Sequence, residues 1–597
     1  MQLNPIQALK EGGEGRTRNQ RIEGEFTLEY KPVKGLSLRA VGGANILDGQ
    51  KKEWRRAYGK YGVDGLISTA FGQKSPNSVT QNNSHRQYLT GQLIAEYKGV
   101  FGKHDINVLG GWSAEENLYE DLQGKRTNIV GNELPALNLG DTDGWSNAAD
   151  ENEWALLSGF MRASYAFAAK YLVEVNFRAD ASSRFSKKNR WGVFPSASVG
   201  WRITEEKFMQ NQHIFDNLKL RASWGQLGNQ NGLGLYDHIA SYNINGYYPF
   251  KSELGQWAVI SKLPSESRTW ETVEVKNIAV DMAFLRNRLT VTGEYFIKKN
   301  KDMLVSIEIP SIIGIDVPTG NYGELKVKGW EVTVGWQDKI KDFSYGARFN
   351  LSDQKDKLVD YGVEYNGFVA GVNQKVQGYS LGSIFGYRTD GYFTSEEEVK
   401  NSAAFNKAIT GVGDIKYIDK DGDGKISAPN DLEYLGTTTP RYTFGLNLTA
   451  AWKGLDLGVL LQGVGKRNFY LSSEVMNPYY ATWNNFSYKM HNDYWTPENP
   501  NAAFPRYYAG ANHNYQISDH WLQNAAYVRL KNLQLGYTIS PKLTKSWGIQ
   551  RLRVYFSGDN LCEYSKLNDN FDPELSDING YVYPIMRNFS FGINVTL

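Results

Sequence analysis

The chain has 597 residues, with 66 basic and 64 acidic side chains and a net charge of +2. Aromatic residues make up 13% of the chain, which excludes a disordered tail. The near-zero net charge removes the general electrostatic argument for a nucleic-acid binder. The single cysteine, Cys562, excludes an internal disulfide framework and a paired-cysteine metal site.

The mean hydropathy is −0.49, and the sequence has no run of about 18 apolar residues, so it predicts no transmembrane helix. A membrane β-barrel has a similar average, because apolar lipid-facing residues alternate with polar lumen-facing ones. The first fifteen residues, MQLNPIQALKEGGEG, lack the basic stretch and apolar core of a signal peptide. We therefore expect that any export signal lies outside this chain.

Period-two alternation recurs along the chain and predicts antiparallel strands. Near residue 175, for example, odd-numbered apolar side chains share one face, and Glu174, Asn176 and Arg178 share the other. The pattern predicts seventeen strands, at 20–31, 34–45, 84–98, 103–116, 154–168, 170–180, 190–203, 217–228, 271–284, 286–299, 319–336, 343–357, 439–452, 455–469, 524–539, 549–561 and 583–597.

Strand and loop lengths favour a membrane barrel. Many of the predicted strands are about twice the usual length of about 5–6 residues, and a tilted membrane strand needs about 9–11. Short connections alternate with long polar segments, such as 45–83 and 116–153, as periplasmic turns alternate with external loops in outer-membrane barrels. The longest segment, 358–438, is predicted to be an extracellular excursion. A soluble sandwich is an open alternative, whereas a propeller requires a repeat of about 40–50 residues that the sequence lacks.

The odd number of predicted strands bears on domain organisation. Single-chain bacterial barrels have even strand counts, and an open sheet leaves backbone groups unpaired in lipid. We therefore expect residues 1–597 to be the C-terminal portion of a longer barrel, with an odd number of strands before residue 20.

An acidic loop in the longest segment is the sharpest local motif. Asp419, Asp421 and Asp423 alternate and are followed by glycine. With the backbone carbonyl of Lys425, they match the first half of a calcium loop. The glutamate expected at position 12 is absent, and the nearest carboxylate is Asp431, one position later. These five residues are the predicted ligands of a structural Ca²⁺, and a metal-free acidic turn is the alternative.

No catalytic constellation emerges, so we predict that the protein is not an enzyme. Residues 378–382 (GYSLG) match the nucleophile-elbow pattern but lack the helix that this motif requires, and are interpreted as a chance match. The seven histidines are scattered, and no phosphate-binding loop is present. Aromatic and amide residues in loops, such as 479–485, fit either sugar binding or the aromatic girdle of a membrane protein.

Six stretches, in order and over nearly the whole chain, resemble the SusC/RagA-like TonB-dependent outer-membrane transporters of Bacteroidetes. They are 191–196 (WGVFPS), 218–225 (LKLRASWG), 328–331 (KGWE), 413–417 (GDIKY, followed by the acidic loop), 495–500 (WTPENP) and 527–532 (YVRLKN).

The resemblance implies a 22-stranded outer-membrane barrel filled by a plug. It also implies coupling to TonB–ExbB–ExbD, a SusD-like surface lipoprotein as partner, and an oligosaccharide or peptide as cargo. The plug and the TonB box are not found in this sequence, and seventeen strands against 22 leave five to be supplied. We therefore expect the chain alone in detergent to show neither a stable heat-modifiable barrel nor TonB-dependent uptake.

Two other functions are open at this point. A passive porin or adhesin barrel has the same strand pattern but needs no coupling segment. A soluble extracellular glycan-binding or glycan-cleaving β-protein predicts a pair of acids in a cleft. A membrane barrel instead predicts an apolar band about 25 Å tall with aromatic girdles.

Overall fold

Antiparallel strands dominate the computed structural model of the chain, as the alternation predicts. The structure describes residues 5–58, 76–131, 133–250, 253–260, 262–306, 312, 319–362, 368–479, 489–569, 571–575 and 585–597.

Seventeen strands form one large sheet, and the remaining strands form small sheets in the connections of the large sheet. In chain order the strands are β1 (Gly13–Val33), β2 (Leu36–Arg55), β3 (Ser78–Phe101), β4 (His104–Thr127), β5 (Ser146–Phe167), β6 (Tyr171–Ser182), β7 (Trp191–Arg202), β8 (Phe215–Asn229), β9 (Asn243–Phe250), β10 (Glu253–Val259), β11 (Glu271–Phe284), β12 (Leu289–Val305), β13 (Gly320–Ile340), β14 (Phe343–Asp360), β15 (Gly371–Gln374), β16 (Ser383–Tyr387), β17 (Thr389–Tyr392), β18 (Ile415–Tyr417), β19 (Leu432–Thr437), β20 (Arg441–Trp452), β21 (Leu455–Lys466), β22 (Asn468–Tyr470), β23 (Leu522–Asn524), β24 (Tyr527–Ile539), β25 (Arg551–Ser565) and β26 (Asn588–Thr596).

The α-helices within the described residues are short: α1 (Pro5–Glu11), α2 (Glu396–Asn401), α3 (Ser473–Met476) and α4 (Pro541–Thr544). None of the helices in this part of the chain is long and apolar enough to cross a membrane.

The large sheet is a simple meander. Strands β1–β8, β11–β14, β20, β21 and β24–β26 follow one another, and each pairs antiparallel with the next. Each of the seventeen predicted segments coincides with one of these strands, in the same order, although 583–584 lie outside the described residues. Within the described part of the chain, the ladder of β1 runs along β2 alone, and that of β26 along β25 alone.

The two faces of the sheet differ in polarity. On the apolar face, Phe26 is 71% exposed, Trp112 61% and Phe591 84%. The opposite face is polar and concave. Two cavities of about 1200 and 1130 Å³ lie against it near the short turns, and one of them touches every strand from β3 to β8. A sheet that curves around its polar face and exposes an apolar one has the form of a barrel wall.

The first five strands are much longer than predicted, and β1 already begins at Gly13 instead of residue 20. The segments 45–83 and 116–153 were expected to be external loops, but β2 continues to Arg55 and β3 begins at Ser78. Likewise, β4 continues to Thr127 and β5 begins at Ser146. The expectation was wrong because charged and amide residues interrupt the apolar face in this part, so the hydrophobic alternation stops although the backbone ladder continues.

The longest connections fold together. The excursion predicted at 358–438 contains β15–β19 and α2, and it packs against described parts of 468–526 and 566–575. We call the described residues of 368–437, 468–526 and 566–575 the loop assembly. Its largest cluster of buried apolar residues consists of Tyr387, Ile415, Tyr417, Ile426, Leu432, Phe469, Leu471, Val475, Phe504, Trp521, Ala525 and Leu567.

Candidate functional site

The loop assembly joins segments that are distant in the sequence through aromatic packing. The Trp521 ring is 1% exposed and lies 5.7 Å, between centroids, from each of the rings of Phe504 and Tyr515. The rings of Tyr387 and Phe405 meet edge to face at 4.8 Å. Buried aromatic residues contribute strongly to core stability, so the assembly has a hydrophobic core of its own.

A buried carboxylate fixes the chain just before the acidic loop. Asp414 is 0% exposed, and its Oδ1 accepts a hydrogen bond from Asn514 Nδ2 at 2.9 Å. Its Oδ2 accepts from the Gly411 N–H and the Tyr508 hydroxyl, and it lies 3.0 Å from His513 Nε2. A carboxylate removed from water requires such partners. Asp414 therefore locks two remote segments of the assembly together.

The helix α2 is also tied to the start of this region. Ser395 caps the helix by accepting a hydrogen bond from the Glu398 N–H. The Glu398 carboxylate accepts from the Thr394 N–H at 2.8 Å and pairs with Lys416 Nζ at 2.9 Å. The Thr394 N–H and the Lys416 ammonium lower the pKa of Glu398 to about 2.

The acidic loop brings its first three carboxylates together. Carboxylate oxygens of Asp419, Asp421 and Asp423 all lie within 4.8 Å of one another. Asp419 accepts hydrogen bonds from the Gly422 and Gly424 N–H groups, and the donation by Gly424 is the main cause of its lowered pKa. Both glycines have positive φ, 77° and 83°, which turns the chain back toward Asp419. The group offers the hard oxygen ligands that Ca²⁺ prefers.

The other predicted ligands lie at the margins of this group. Asp431 is 1% exposed and is not part of it, since its two oxygens accept hydrogen bonds from the Lys420 and Ser427 N–H groups. Asp431 therefore closes the base of the loop. Lys425 lies two residues after Asp423, and its N–H donates a hydrogen bond to the Asp423 carboxylate at 2.8 Å.

The GYSLG match has a structural role. The Ser380 hydroxyl donates to Asp356 at 2.5 Å, and the Leu381 N–H donates to the other oxygen of the same carboxylate at 2.8 Å. Asp356 lies in β14 of the large sheet. The motif therefore fastens the loop assembly to the top of that strand, and it has none of the geometry of a nucleophile elbow.

A second ionic cluster fastens the last long connection to β24. Arg529 is 1% exposed and pairs with Asp572 at 2.7 Å and with Glu574 at 3.1 Å. Lys531, two residues further along the same strand, pairs with Glu574 at 2.6 Å. A buried guanidinium requires such partners, so this cluster orders residues 571–575 against the sheet.

The polar face also carries a group of aromatic and amide residues that was not predicted from the sequence. Tyr88, Asn117, Tyr119, Asn152 and Trp154 lie on β3, β4 and β5. Most of them fall in segments that were expected to be loops. The sequence signal that could have indicated this group is the two-residue spacing of Asn117 and Tyr119, and of Asn152 and Trp154, which places each pair on one face of a strand. Apart from Tyr479, the whole of the predicted aromatic segment 479–485 lies outside the described residues.

Together these features define a class of protein. The large sheet is a seventeen-stranded antiparallel meander that is apolar on its convex face and polar on its concave face. It has short turns at one end and folded connections at the other. These are the properties of the wall of an outer-membrane β-barrel. The chain belongs to the TonB dependent receptor-like, beta-barrel family, whose model matches residues 4–561. The predicted family, fold class and outer-membrane location are confirmed.

Two curated relatives are similar over almost the whole chain. TonB-dependent receptor P26 of Formosa agariphila is 30% identical over 626 residues, which cover 99% of this chain and 61% of the relative. TonB-dependent receptor SusC of Bacteroides thetaiotaomicron is 28% identical over 624 residues, which cover 99% of this chain and 57% of the relative. The chain thus spans about three fifths of the length of these relatives.

A solved structure shares the fold. The RagAB peptide transporter matches with a TM-score of 0.83 and 23% identity, and the match covers 99% of this chain and 63% of that chain. This agreement extends the SusC/RagA resemblance from the sequence motifs to the course of the backbone.

Proposed function

We propose that this chain forms the barrel wall of an active importer, which carries an oligosaccharide or a peptide across the outer membrane. The membership of the chain in the TonB-dependent receptor family carries this proposal. The relatives are named as receptors and transporters, and the proposed function includes no catalytic step.

The proposed partners are a SusD-like lipoprotein at the external face and the TonB–ExbB–ExbD complex. The loop assembly supports the first, because its buried core makes it a preformed surface and preformed surfaces bind at a lower entropic cost. We propose that coupling to TonB uses a part of the complete receptor outside residues 1–597. The length of the relatives supports this, since the chain spans 61% of one and 57% of another. Residues 1–597 are then the C-terminal portion of that receptor.

The test measures uptake by the complete receptor, co-expressed with its neighbouring lipoprotein in a bacterium. Labelled oligosaccharides and labelled short peptides are supplied with TonB present and with TonB depleted. We expect uptake of one class of cargo that stops when TonB is depleted. Uptake that continues unchanged without TonB would identify a passive porin and overturn the proposal.

We also propose that the acidic loop binds one Ca²⁺ as a structural clasp. Asp419, Asp421 and Asp423 supply the converging carboxylates, the Lys425 carbonyl lies next in the chain, and Asp431 closes the base. Internal hydrogen bonds already satisfy much of the loop, so we expect calcium to tighten the loop rather than to fold it.

A further inference from the structure

Strands β3, β4 and β5 rise beyond the apolar band at the long-loop end of the sheet. On the outward face of β3 and β4, Leu93 and Trp112 lie opposite each other and are 64% and 61% exposed. Higher on the same face, Glu120 lies opposite His85 on one side and Glu151 on the other. Charged side chains on the lipid face are unfavourable inside hydrocarbon. This upper part of the sheet therefore stands outside the membrane.

On the inward face of this upper part, the first row of side chains alternates aromatic and amide groups. Asn117 on β4 lies opposite Tyr88 on β3 and Trp154 on β5. The rings of Tyr88 and Trp154 are 6.1 Å apart between centroids, and the Arg184 guanidinium lies 5.8 Å from the Trp154 ring. The Tyr88 hydroxyl donates to Glu115 at 2.7 Å, which holds the Tyr88 ring in place.

The next two rows continue this pattern toward the rim. Tyr119 lies opposite Arg86 on one side and Asn152 on the other, and the Arg86 guanidinium is 5.2 Å from the Tyr119 ring. Above them, Asp121 lies directly opposite Asp150. With strands about 4.8 Å apart and rows about 6.6 Å apart, the three rows cover a patch about 10 Å by 13 Å.

Four polar side chains of this patch have no partner among the residues that the structure describes. They are Asn117, Asp121, Asn152 and Asp150, of which the first three are half-buried and the last is exposed. Like charges directly opposite each other destabilise a sheet. Hydroxyl groups of a ligand that donate hydrogen bonds to Asp121 and Asp150 would therefore reduce this repulsion. The patch thus presents aromatic faces beside unsatisfied amide and carboxylate groups.

We propose that this inward patch of β3–β5 binds an uncharged oligosaccharide on its way into the barrel. The proposal rests on the function proposed above and specifies its cargo and one point of contact. A sugar ring has an apolar C–H face and a rim of hydroxyls. The C–H face suits the electron-rich faces of Tyr88, Tyr119 and Trp154, and the hydroxyl rim suits amides and carboxylates that both accept and donate hydrogen bonds.

A peptide fits this patch less well. Extended peptides are commonly bound through their backbone, which adds to an open sheet edge. Here β4 is paired on both sides along the patch, so the surface offers side chains and no free backbone groups.

The charge of the patch favours the binding of neutral sugars over anionic sugars. Asp121 and Asp150 face the ligand without a partner among the described residues, while the two cations beside the rows, Arg86 and Arg184, lie against the rings of Tyr119 and Trp154. Sulfated or carboxylated sugars would therefore meet uncompensated negative charge, which disfavours them.

The experiment uses the complete receptor with its lipoprotein. Its inward variants are Trp154→Ala, Trp154→Phe and Asn117→Ala. Matched controls change the adjacent outward residues of the same strands, Glu153→Ala and Glu116→Gln. Binding and TonB-dependent uptake are measured with a panel of uncharged hexasaccharides, an oligogalacturonate and a mixture of short peptides. Heat modifiability in detergent reports the folding of every variant.

We expect Trp154→Ala and Asn117→Ala to weaken binding of an uncharged hexasaccharide by about tenfold, the usual scale for a contact residue. The Phe variant should retain most of the affinity, and both outward controls should match the unmodified receptor. Equal affinity of the inward variants and the controls would overturn the assignment of the patch. Binding of only peptides or the oligogalacturonate would overturn the assignment of the cargo, as would binding of no probe. Loss of TonB dependence in the unmodified receptor, in contrast, would refute the proposed transport and not the binding patch.

Discussion

The lower and upper parts of the large sheet share one backbone ladder but meet different solvents. In the lower part, apolar residues such as Trp112 cover the outward face, and polar residues cover the inward face. In the upper part of β3–β5, charged residues interrupt the apolar outward face, and Glu120 stands outward where Trp112 stands below. The comparison shows that backbone pairing sets how far a strand extends, whereas side-chain polarity sets where the membrane ends.

The largest effect that tests this comparison is a charge placed in the apolar band. Leu93→Arg should destabilise the complete receptor in lipid vesicles by about 2–4 kcal/mol, because it puts a cation against hydrocarbon. Gln87→Arg, on the same face of the same strand in the upper part, should have little effect. Denaturant titration in vesicles measures both, and equal destabilisation would contradict the assigned membrane level.

A smaller effect is expected in the loop assembly, which is held by a buried polar network instead of lipid. Asp414→Asn should cost about 1–3 kcal/mol of local stability, because a buried donor loses its acceptor. Hydrogen exchange of 506–515 should increase while heat modifiability of the barrel is unchanged. The control is Asp390→Asn, whose carboxylate is 67% exposed. Unchanged exchange in the Asp414 variant would show that the network does not hold the assembly.

Calcium should stabilise the same assembly by a comparable or smaller amount. At a Ca²⁺ concentration ten times its dissociation constant, binding adds about 1.4 kcal/mol. Proteolysis of the acidic loop should slow accordingly, and Asp423→Asn should abolish the slowing while the exposed Glu397→Gln variant keeps it. A loop that is cleaved at the same rate with Ca²⁺ and with chelator favours the metal-free turn.

The smallest expected effect concerns the pH dependence at helix α2. Because the pKa of Glu398 is lowered to about 2 from 4.5, its contribution is complete above about pH 4.5 and is lost as the pH falls toward 2. Proteolysis near 394–402 should therefore accelerate over that range. In Glu398→Gln the acceleration should be weaker, and an identical pH profile for both proteins would refute the role of this carboxylate.

The sequence predicted the large sheet because apolar and polar residues must alternate along a strand wherever lipid covers one of its faces. All seventeen strands of the large sheet carry that signal. The upper ends of β2–β5 carry no such signal, since neither face meets lipid. Their existence depends on pairing with neighbours, such as Lys125 opposite Ser146, which period alone does not report.

The loop assembly was predictable only in part. The spacing of Asp419, Asp421 and Asp423 predicted that their carboxylates converge, because a local turn determines that geometry. Short strands such as β17 and β18 depend instead on a core assembled from remote segments. The side-chain partners of Asp414, such as His513 and Asn514, lie about a hundred residues away, and no local pattern identifies them.

The measurement that tests the central claim most directly is thiol labelling of intact cells with a membrane-impermeant reagent. The complete receptor carries Cys562→Ala and a single new cysteine at an outward position of β4, either Trp112→Cys or Glu120→Cys. We predict rapid labelling at position 120 and none at position 112, because only the upper part of the sheet stands outside the membrane. Labelling of both positions at the same rate, or of position 112 alone, would contradict this account.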